Sequence, residues 1–470
     1  MNTTHASIVP ESLRCEVMVI EQARFDCRTG RLTLGFRFDE EEPIEETIVF
    51  PGAPFEMREG EHEGSAVLGN LQRMLGVIAS TSYYKARLPA RVRIAGGFDE
   101  HGTRLVREVF REGLHEFAYR NGLDAVEPEF EFEPATFAAG SAPGSFQGEG
   151  SGRWLVAVGG GKDSVVAMEM LKQAGEPAVA ACVGSYPAVR ECVSIAGLEL
   201  IEIERRLALQ LAEWNGMGAP NGHVPVTAIH SLILLIAATL RGDRGVVMAN
   251  ERSADEPTRV DDDGRTVNHQ YSKSFAFETG LRAWLAEEVG GAQGSGQVDQ
   301  VPDYFSILRP LSELEVCRRF AAMTGYHSAF VSCNASYRRD PERRTSRWCC
   351  ECPKCRFVYL GLAPFLRPED LLEIFGRDLL GDAAQGEGFA DLLRKDAKPF
   401  ECVGTRAEVR AAFGLLRGDP RWRESPVVRA VCEEFGITAY RIEHAAGILA
   451  PSGEHSIPER LAGVIGSAGR

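Results

Sequence analysis

An apolar strand that breaks on three consecutive glycines and resumes as a helix constrains this chain more than any other feature. Residues 154–171 read Trp-Leu-Val-Ala-Val-Gly-Gly-Gly-Lys-Asp-Ser-Val-Val-Ala-Met-Glu-Met-Leu. The glycines let the main chain turn tightly and lie close to an anion. The helix that opens at Lys162-Asp163-Ser164 presents unpaired N–H groups and the positive end of its dipole. Lys162 adds a charge and Ser164 a hydroxyl donor. Gly159, Gly160, Gly161, Lys162, Asp163 and Ser164 therefore read as a phosphate cradle. The spacing is not Gly-x-x-x-x-Gly-Lys-Ser/Thr, and Gly-x-Gly-x-x-Gly fails because position 164 is Ser.

From Arg153 strand and helix patterns alternate: Trp154–Val158, a helix to Ala174, Ala178–Val183, a helix through Gly197, Glu199–Glu204, a helix Pro225–Arg241 and a strand Gly245–Ala249. Such alternation predicts an α/β fold with a doubly wound parallel sheet. Its ligands bind beyond the carboxyl ends of the strands, so the loops after Val158, Val183 and Ala249 should surround one crevice. Residues 1–138 alternate apolar and polar in short runs such as Arg31–Phe38 and Glu45–Phe50, with a helical stretch near Ala66–Ile78. This predicts an N-terminal mostly β domain, a candidate to close over substrate. Residues 139–152, rich in Gly, Ser, Pro and Gln, read as a linker to a nucleotide domain over 153–365. Helical patterns at Pro368–Gly381, Gly388–Lys395 and Arg406–Leu416 predict a C-terminal α-helical appendage over 366–450. Residues 451–470 read as a disordered tail, and Gly290–Gln300 as a flexible insertion.

A net charge of −15 argues against a general nucleic-acid surface but leaves room for a local basic pocket. The first residues lack a basic stretch leading into an apolar run, and no segment approaches ~18 apolar residues. A cytoplasmic protein with no membrane partner is the expectation, and the twelve cysteines then favour thiols or metal ligands over disulfides. Cys349-Cys350-Glu351-Cys352-Pro353-Lys354-Cys355 contains Cys-x-x-Cys-x-x-Cys, and Cys333 lies upstream. Four thiolates, Cys333, Cys349, Cys352 and Cys355, suit a structural Zn²⁺, with an iron–sulfur cluster as the alternative. Cys350 competes with Cys349 as a ligand.

Three segments are polar where an α/β core would be apolar. Asn250-Glu251-Arg252-Ser253-Ala254-Asp255-Glu256 follows a strand directly; Glu251 and Asp255 offer carboxylates for Mg²⁺, and Arg252 suits a substrate carboxylate or phosphate. Asn268-His269-Gln270-Tyr271-Ser272-Lys273-Ser274-Phe275 opens a helix, where an anion is favoured. Lys398-Pro399-Phe400-Glu401-Cys402-Val403-Gly404 is the third.

Gly159-Gly160-Gly161-Lys162-Asp163-Ser164 resembles the Ser-Gly-Gly-x-Asp-Ser loop of the ATP pyrophosphatase superfamily, with Gly159 where that superfamily has Ser. The resemblance implies an adenine nucleotide alpha hydrolase-like sheet and cleavage of ATP between the α and β phosphates. The late cysteine spacing is similar to that of 7-cyano-7-deazaguanine synthases, whose zinc is structural. The polar segments, together with Ser82-Tyr83-Tyr84-Lys85-Ala86 and Trp348–Phe357, resemble the UDP-N-acetylmuramoyl-L-alanyl-L-glutamate epimerases of peptidoglycan synthesis along nearly the whole chain. That resemblance implies an isomerase using ATP and Mg²⁺ to invert the terminal glutamate of a nucleotide-sugar dipeptide through an acyl adenylate. Inversion needs proton carriers on both faces of the α-carbon, for which His269, Tyr271, Lys273 and Cys402 are the candidates. Tyr84, Lys85, Asn250, Glu251, Arg252, Asp255, Gln270 and Glu401 are the candidate substrate contacts. The competing readings are an amide- or nitrile-forming synthetase, a tRNA-thiolating enzyme and an ATP sensor without turnover.

Overall fold

A computed structural model describes residues 8–55, 66–132, 151–260, 264–289, 301–337, 344–345, 347–394 and 398–466. The expected insertion at 290–300, residues 139–150 of the expected linker and residues 467–470 of the expected tail lie outside them.

The strands are β1 (Val17–Ile20), β2 (Arg24–Asp26), β3 (Arg31–Phe38), β4 (Ile44–Val49), β5 (Arg91–Ile94), β6 (Glu129–Phe132), β7 (Trp154–Ala157), β8 (Ala178–Val183), β9 (Leu200–Arg206), β10 (Gly245–Met248), a small hairpin of β11 (Arg259–Val260) and β12 (Thr266–Val267), and β13 (Asp303–Ser306). All but the hairpin join one sheet in the order β13-β10-β7-β8-β9-β4-β3-β1-β5-β6, with β2 beside β3. The five strands β13, β10, β7, β8 and β9 are mutually parallel, as the alternation of strand and helix predicts. The carboxyl ends of these strands therefore open on one crevice.

Consecutive side chains of a strand point to opposite faces, and β7 feeds two cores in this way. Trp154 and Val156 join the core that contains Phe305, Phe357, Phe413 and Trp422, whereas Leu155 joins the one containing Phe36, Tyr83 and Leu232. The two cores reassign the expected domains. The helix Ala66–Arg87 shares a core with the helix Val226–Arg241, so the N-terminal part packs onto one face of the parallel strands. That part is α/β, not mostly β: besides Ala66–Arg87 it contains the helices Glu100–Gly113 and His115–Arg120. The C-terminal helices Arg406–Gly418 and Pro426–Glu434 bury Phe413, Leu416 and Val428 in the core under β7. They complete the core beneath the parallel strands and are not an appendage. The described part of the tail is folded, with Leu461, Val464 and Ile465 buried and Arg460 over the Trp154 ring at 5.0 Å.

The two halves meet where β4 pairs antiparallel with β9, Ile48 opposite Arg205. Because β4, β3 and β1 alternate in direction from β9, the parallel strands β1, β5 and β6 run opposite to β7. The helix that follows β5, Glu100–Gly113, thus returns toward the crevice. At the seam Glu46 is fully buried and accepts Nε of Arg205 (2.7 Å), its Nη2 (3.2 Å) and the Tyr83 hydroxyl (2.8 Å). Tyr83 Oη in turn accepts the Ala208 amide at 3.0 Å, and burial, then the Glu46 charge, push the phenol up. Removing one member of such a pair leaves an uncompensated charge in the interior. Glu46→Ala should lose ~3–5 kcal/mol in urea unfolding, and a loss under ~1 kcal/mol, the usual size for exposed pairs, would show that the seam does not hold the halves together.

Candidate active site

The turn after β7 is built on backbone. Gly160 adopts φ +76°, and its carbonyl accepts Val331 N at 2.9 Å. A Cβ on Gly161 would lie 2.7 Å from Ser332 Oγ, so a side chain here would force Ser332 to shift. Gly159 differs: a Cβ there meets nothing within 4 Å, and a serine would fit. Gly161 caps the helix Lys162–Gln173 without a side-chain acceptor, which leaves the first N–H groups for a ligand. Two expected phosphate donors are turned inward. The Ser164 hydroxyl donates to the Gly161 carbonyl at 2.9 Å, and the buried Lys162 ammonium pairs with Asp163 and Glu313.

Glu313 opens the helix Glu313–Ala321, which Ser312 caps, and it also receives Lys354 Nζ at 3.4 Å. Burial, then the Asp163 charge, push the Glu313 carboxyl up to about 7 against the pull of Lys162 and Lys354. Burial and Asp163 likewise raise Glu251. Asp163 itself stays below its ordinary range, because Lys162, Lys354 and Lys273 outweigh its burial. Lys273 donates to Cys402 Sγ at 3.1 Å; burial opposes its charge, but Cys402, Glu251 and Asp163 hold the ammonium above its usual range. Arg309, fully buried, holds both loops by their main chain, donating to the carbonyls of Lys273 (2.6 Å) and Glu251 (3.1 Å) while Glu278 takes its Nε at 3.1 Å.

Several expected site residues therefore converge: Asp163, Glu251, Lys273 and Cys402, with Glu401 alongside as acceptor of Lys354 N at 3.0 Å. His269 and Gln270 lie in the same loop. His269 Nδ1 meets Thr258 Oγ1 at 2.6 Å, and its ring stands edge-on to Phe400. Its Nε2 and the Gln270 Oε1 are buried without a hydrogen bond, a weak approach of the Glu401 backbone to the imidazole apart. Buried polar atoms normally have partners, so these two mark a place for a ligand. Burial, then Lys273, push His269 down to about 3, leaving it neutral at pH 7.

Others are used elsewhere. Arg252 spends its donors on the carbonyls of Pro310, Ala450 and Ile448, and Asp255 accepts Phe275 N at 2.7 Å. Asn250 pairs its backbone with Ser306 Oγ, and Tyr84 lies in the core against Phe110. The Tyr271 phenol donates to Glu108 at 3.0 Å, and Lys85 holds Asn221 and the Gly222 carbonyl. Glu313, Lys354 and Arg309 escaped the sequence reading. Lys354 is flanked by Cys352 and Cys355, a placement that could have pointed to it; nothing local singles out Glu313.

Cys333, Cys349, Cys352 and Cys355 bring their sulfurs within 4.8 Å of one another. Cys349 and Cys355 are 3.8 Å apart and Cys352 and Cys355 3.5 Å, near the ~3.8 Å edge of a tetrahedron with ~2.3 Å zinc–sulfur bonds. Backbone N–H groups of Cys349, Cys352 and Cys355 point at sulfurs of the set, each at 3.4 Å. The donor set fits zinc. Cys350 is the excluded thiol: at φ +60° it turns away and donates to the Phe375 carbonyl at 3.3 Å. Cys352 also caps the helix Pro353–Leu362, which projects Lys354 to Glu313. Cys350→Gly should keep the wild-type zinc content by elemental analysis, whereas Cys349→Ser should lose most of it; equal zinc in both would contradict the assignment.

The MurL N-terminal domain model matches residues 10–306 and the MurL C-terminal domain model residues 329–445. Three proteins named UDP-N-acetyl-alpha-D-muramoyl-L-alanyl-L-glutamate epimerase are similar. That of Xanthomonas oryzae pv. oryzae is 41% identical over 93% of this chain and 94% of its own, and that of a Micromonospora species 42% over 84% and 85%. That of Salinispora tropica is 38% identical over 97% and 96%. With two domain models and relatives of this identity along most of its length, the chain belongs to the UDP-N-acetylmuramoyl-L-alanyl-L-glutamate epimerase family.

Proposed function

We propose that the protein is an ATP-dependent isomerase of peptidoglycan synthesis, built on an ATP pyrophosphatase type of sheet, that converts UDP-N-acetylmuramoyl-L-alanyl-L-glutamate to its L-alanyl-D-glutamate form. The observation that carries this reading is the open, glycine-lined helix start at Gly159–Ser164 with buried lysines and carboxylates gathered at its end. The names of the relatives supply the substrate.

The α-proton beside a carboxylate is hard to remove because the product would be a dianion. Adenylation removes that charge. ATP lies with its phosphates on the cradle, and an oxygen of the substrate α-carboxylate attacks the α-phosphorus. The bond to pyrophosphate breaks, and pyrophosphate leaves along the helix start, where the N–H groups offset its charge and the buried Lys162 holds Asp163 in place behind them. Asp163 and Glu251 are the hard oxygen donors that would hold Mg²⁺, and their mutual repulsion favours a cation between them. Bound there, Mg²⁺ supplies charge neutralisation to the triphosphate. The cysteine set would hold zinc, and the Cys352 cap keeps Lys354 aimed at Glu313.

Loss of the α-proton from the acyl adenylate gives an enolate, and return of a proton from the opposite face inverts the centre. Water then attacks the acyl carbon and releases AMP and the D-product. The Lys273–Cys402 pair serves one face, since an ammonium 3.1 Å from sulfur stabilises the thiolate left when the thiol gives up its proton. Tyr271, committed to Glu108, is the weaker candidate. The purified protein should catalyse exchange of pyrophosphate into ATP that depends on the L-glutamyl nucleotide. Lys162→Gln, checked for native folding by circular dichroism, should slow that exchange by ~10²-fold or more. Exchange without the nucleotide substrate, or unaffected by the substitution, would contradict the reading.

A further inference from the structure

One histidine on the crevice side has no role in the account so far. His223 lies in the loop between the helices Gln210–Gly216 and Val226–Arg241, downstream of the carboxyl end of β9. The N-terminal half pins this loop: Lys85 holds Asn221 and the Gly222 carbonyl, and Asn121 Nδ2 donates to the Asn221 carbonyl at 3.2 Å. His223 Nδ1 stands 3.7 Å from Oε2 of Glu116, a buried carboxylate that also pairs with Arg120. Its ring is 6.2 Å from the His269 ring, and His269 in turn is 5.9 Å from Phe400, two residues before Cys402. His223, on a loop held by the N-terminal half, and Cys402, beside Lys273, thus both approach the His269 loop.

We propose that His223, oriented by Glu116, is the second proton carrier, facing the α-carbon from the side opposite the Lys273–Cys402 pair. The assignment rests on the epimerase reading above. At 3.7 Å the Glu116 carboxylate is too far for a hydrogen bond, but its charge favours the proton on Nδ1 and leaves Nε2 to act. Burial, then His269, Lys273, Lys85 and Arg120, push the imidazole down to about 3, so it is neutral and able to accept a proton. An anionic substrate entering among those cations cancels their field and strengthens the base. Nε2 takes the α-proton of the L-glutamyl adenylate while the C–H electron pair passes into the enolate. The Cys402 thiol returns a proton from the other face and becomes a thiolate beside Lys273. Imidazolium and thiolate then exchange with solvent, restoring both groups.

The one-sided role is read in D₂O with the L- and D-glutamyl nucleotides supplied separately. For His223→Gln, substrate-dependent ATP–pyrophosphate exchange should stay within about threefold of wild type, while D-product formation and deuterium entry into the L-antipode fall by ~10²-fold or more. Deuterium entry into the D-antipode, served by Cys402, should persist. Glu116→Gln should lower D-product formation and shift its pH profile, with exchange retained. D-product formation near wild type in His223→Gln would overturn the proposal, as would equal loss of deuterium entry from both antipodes or loss of exchange itself. Wild-type protein without exchange would instead sink the epimerase reading, and this assignment with it.

Discussion

The buried carboxylate of Glu313, shared by Lys162 and Lys354, is the contact on which the rest of the site depends. Ions taken out of water cost several kcal/mol each unless their partners are well placed, so this group ties the elements that bear it to one geometry. Those elements are the helix of the phosphate loop, the helix Glu313–Ala321 and the helix capped by Cys352. The network extends further by hydrogen bonds. Ser253 Oγ accepts Glu313 N at 3.0 Å and donates to Glu408 at 2.7 Å, and Glu408 also accepts Leu314 N at 3.2 Å. A C-terminal helix is thereby joined to the loop that presents Glu251. The cysteine set lies at the far end of the same chain of contacts, since Cys352, which caps the helix Pro353–Leu362, is two positions from Lys354.

This arrangement explains why the two halves are not independent. Arg309 fixes the main chain at Lys273 and Glu251 from within the nucleotide half, while Tyr271 and the 221–223 loop are held by residues of the N-terminal half. Both halves thus fix the positions of these loops. A seam that reverses strand direction at β4 and β9 is what allows it, because it brings the helices Glu100–Gly113 and His115–Arg120 back toward the carboxyl ends of the nucleotide strands.

Much of the nucleotide half was legible in the sequence. The strand at Ala178–Val183 coincides with its expected bounds, and those at 154, 200 and 245 and the helix ending at Arg241 fall within a residue or two of theirs, because buried parallel strands and glycine-stopped helices write strong local patterns. The clustering of Cys333, Cys349, Cys352 and Cys355 was legible for the same reason, their spacing being short and their chemistry specific. What local pattern does not encode is partnership at a distance. Pairing of β4 with β9 joins residues some 160 apart and made the N-terminal part continuous with the sheet, whereas its alternating runs alone suggested a separate β domain. Glu313 and His223 stand in unremarkable contexts and gain their meaning from residues remote in sequence. Arg252 failed in the opposite sense: a basic residue after a strand resembles an anion ligand, yet three carbonyls occupy it.

The central claim is that the α-carboxylate is adenylated before its neighbouring proton moves. Supplying the L-glutamyl nucleotide with ¹⁸O in that carboxylate and weighing the AMP tests it directly. Attack by a carboxylate oxygen on the α-phosphorus, followed by water at the acyl carbon, predicts AMP that gains one ¹⁸O while D-glutamate appears. D-glutamate formed alongside unlabelled AMP would mean that ATP hydrolysis and inversion are not joined through an acyl adenylate.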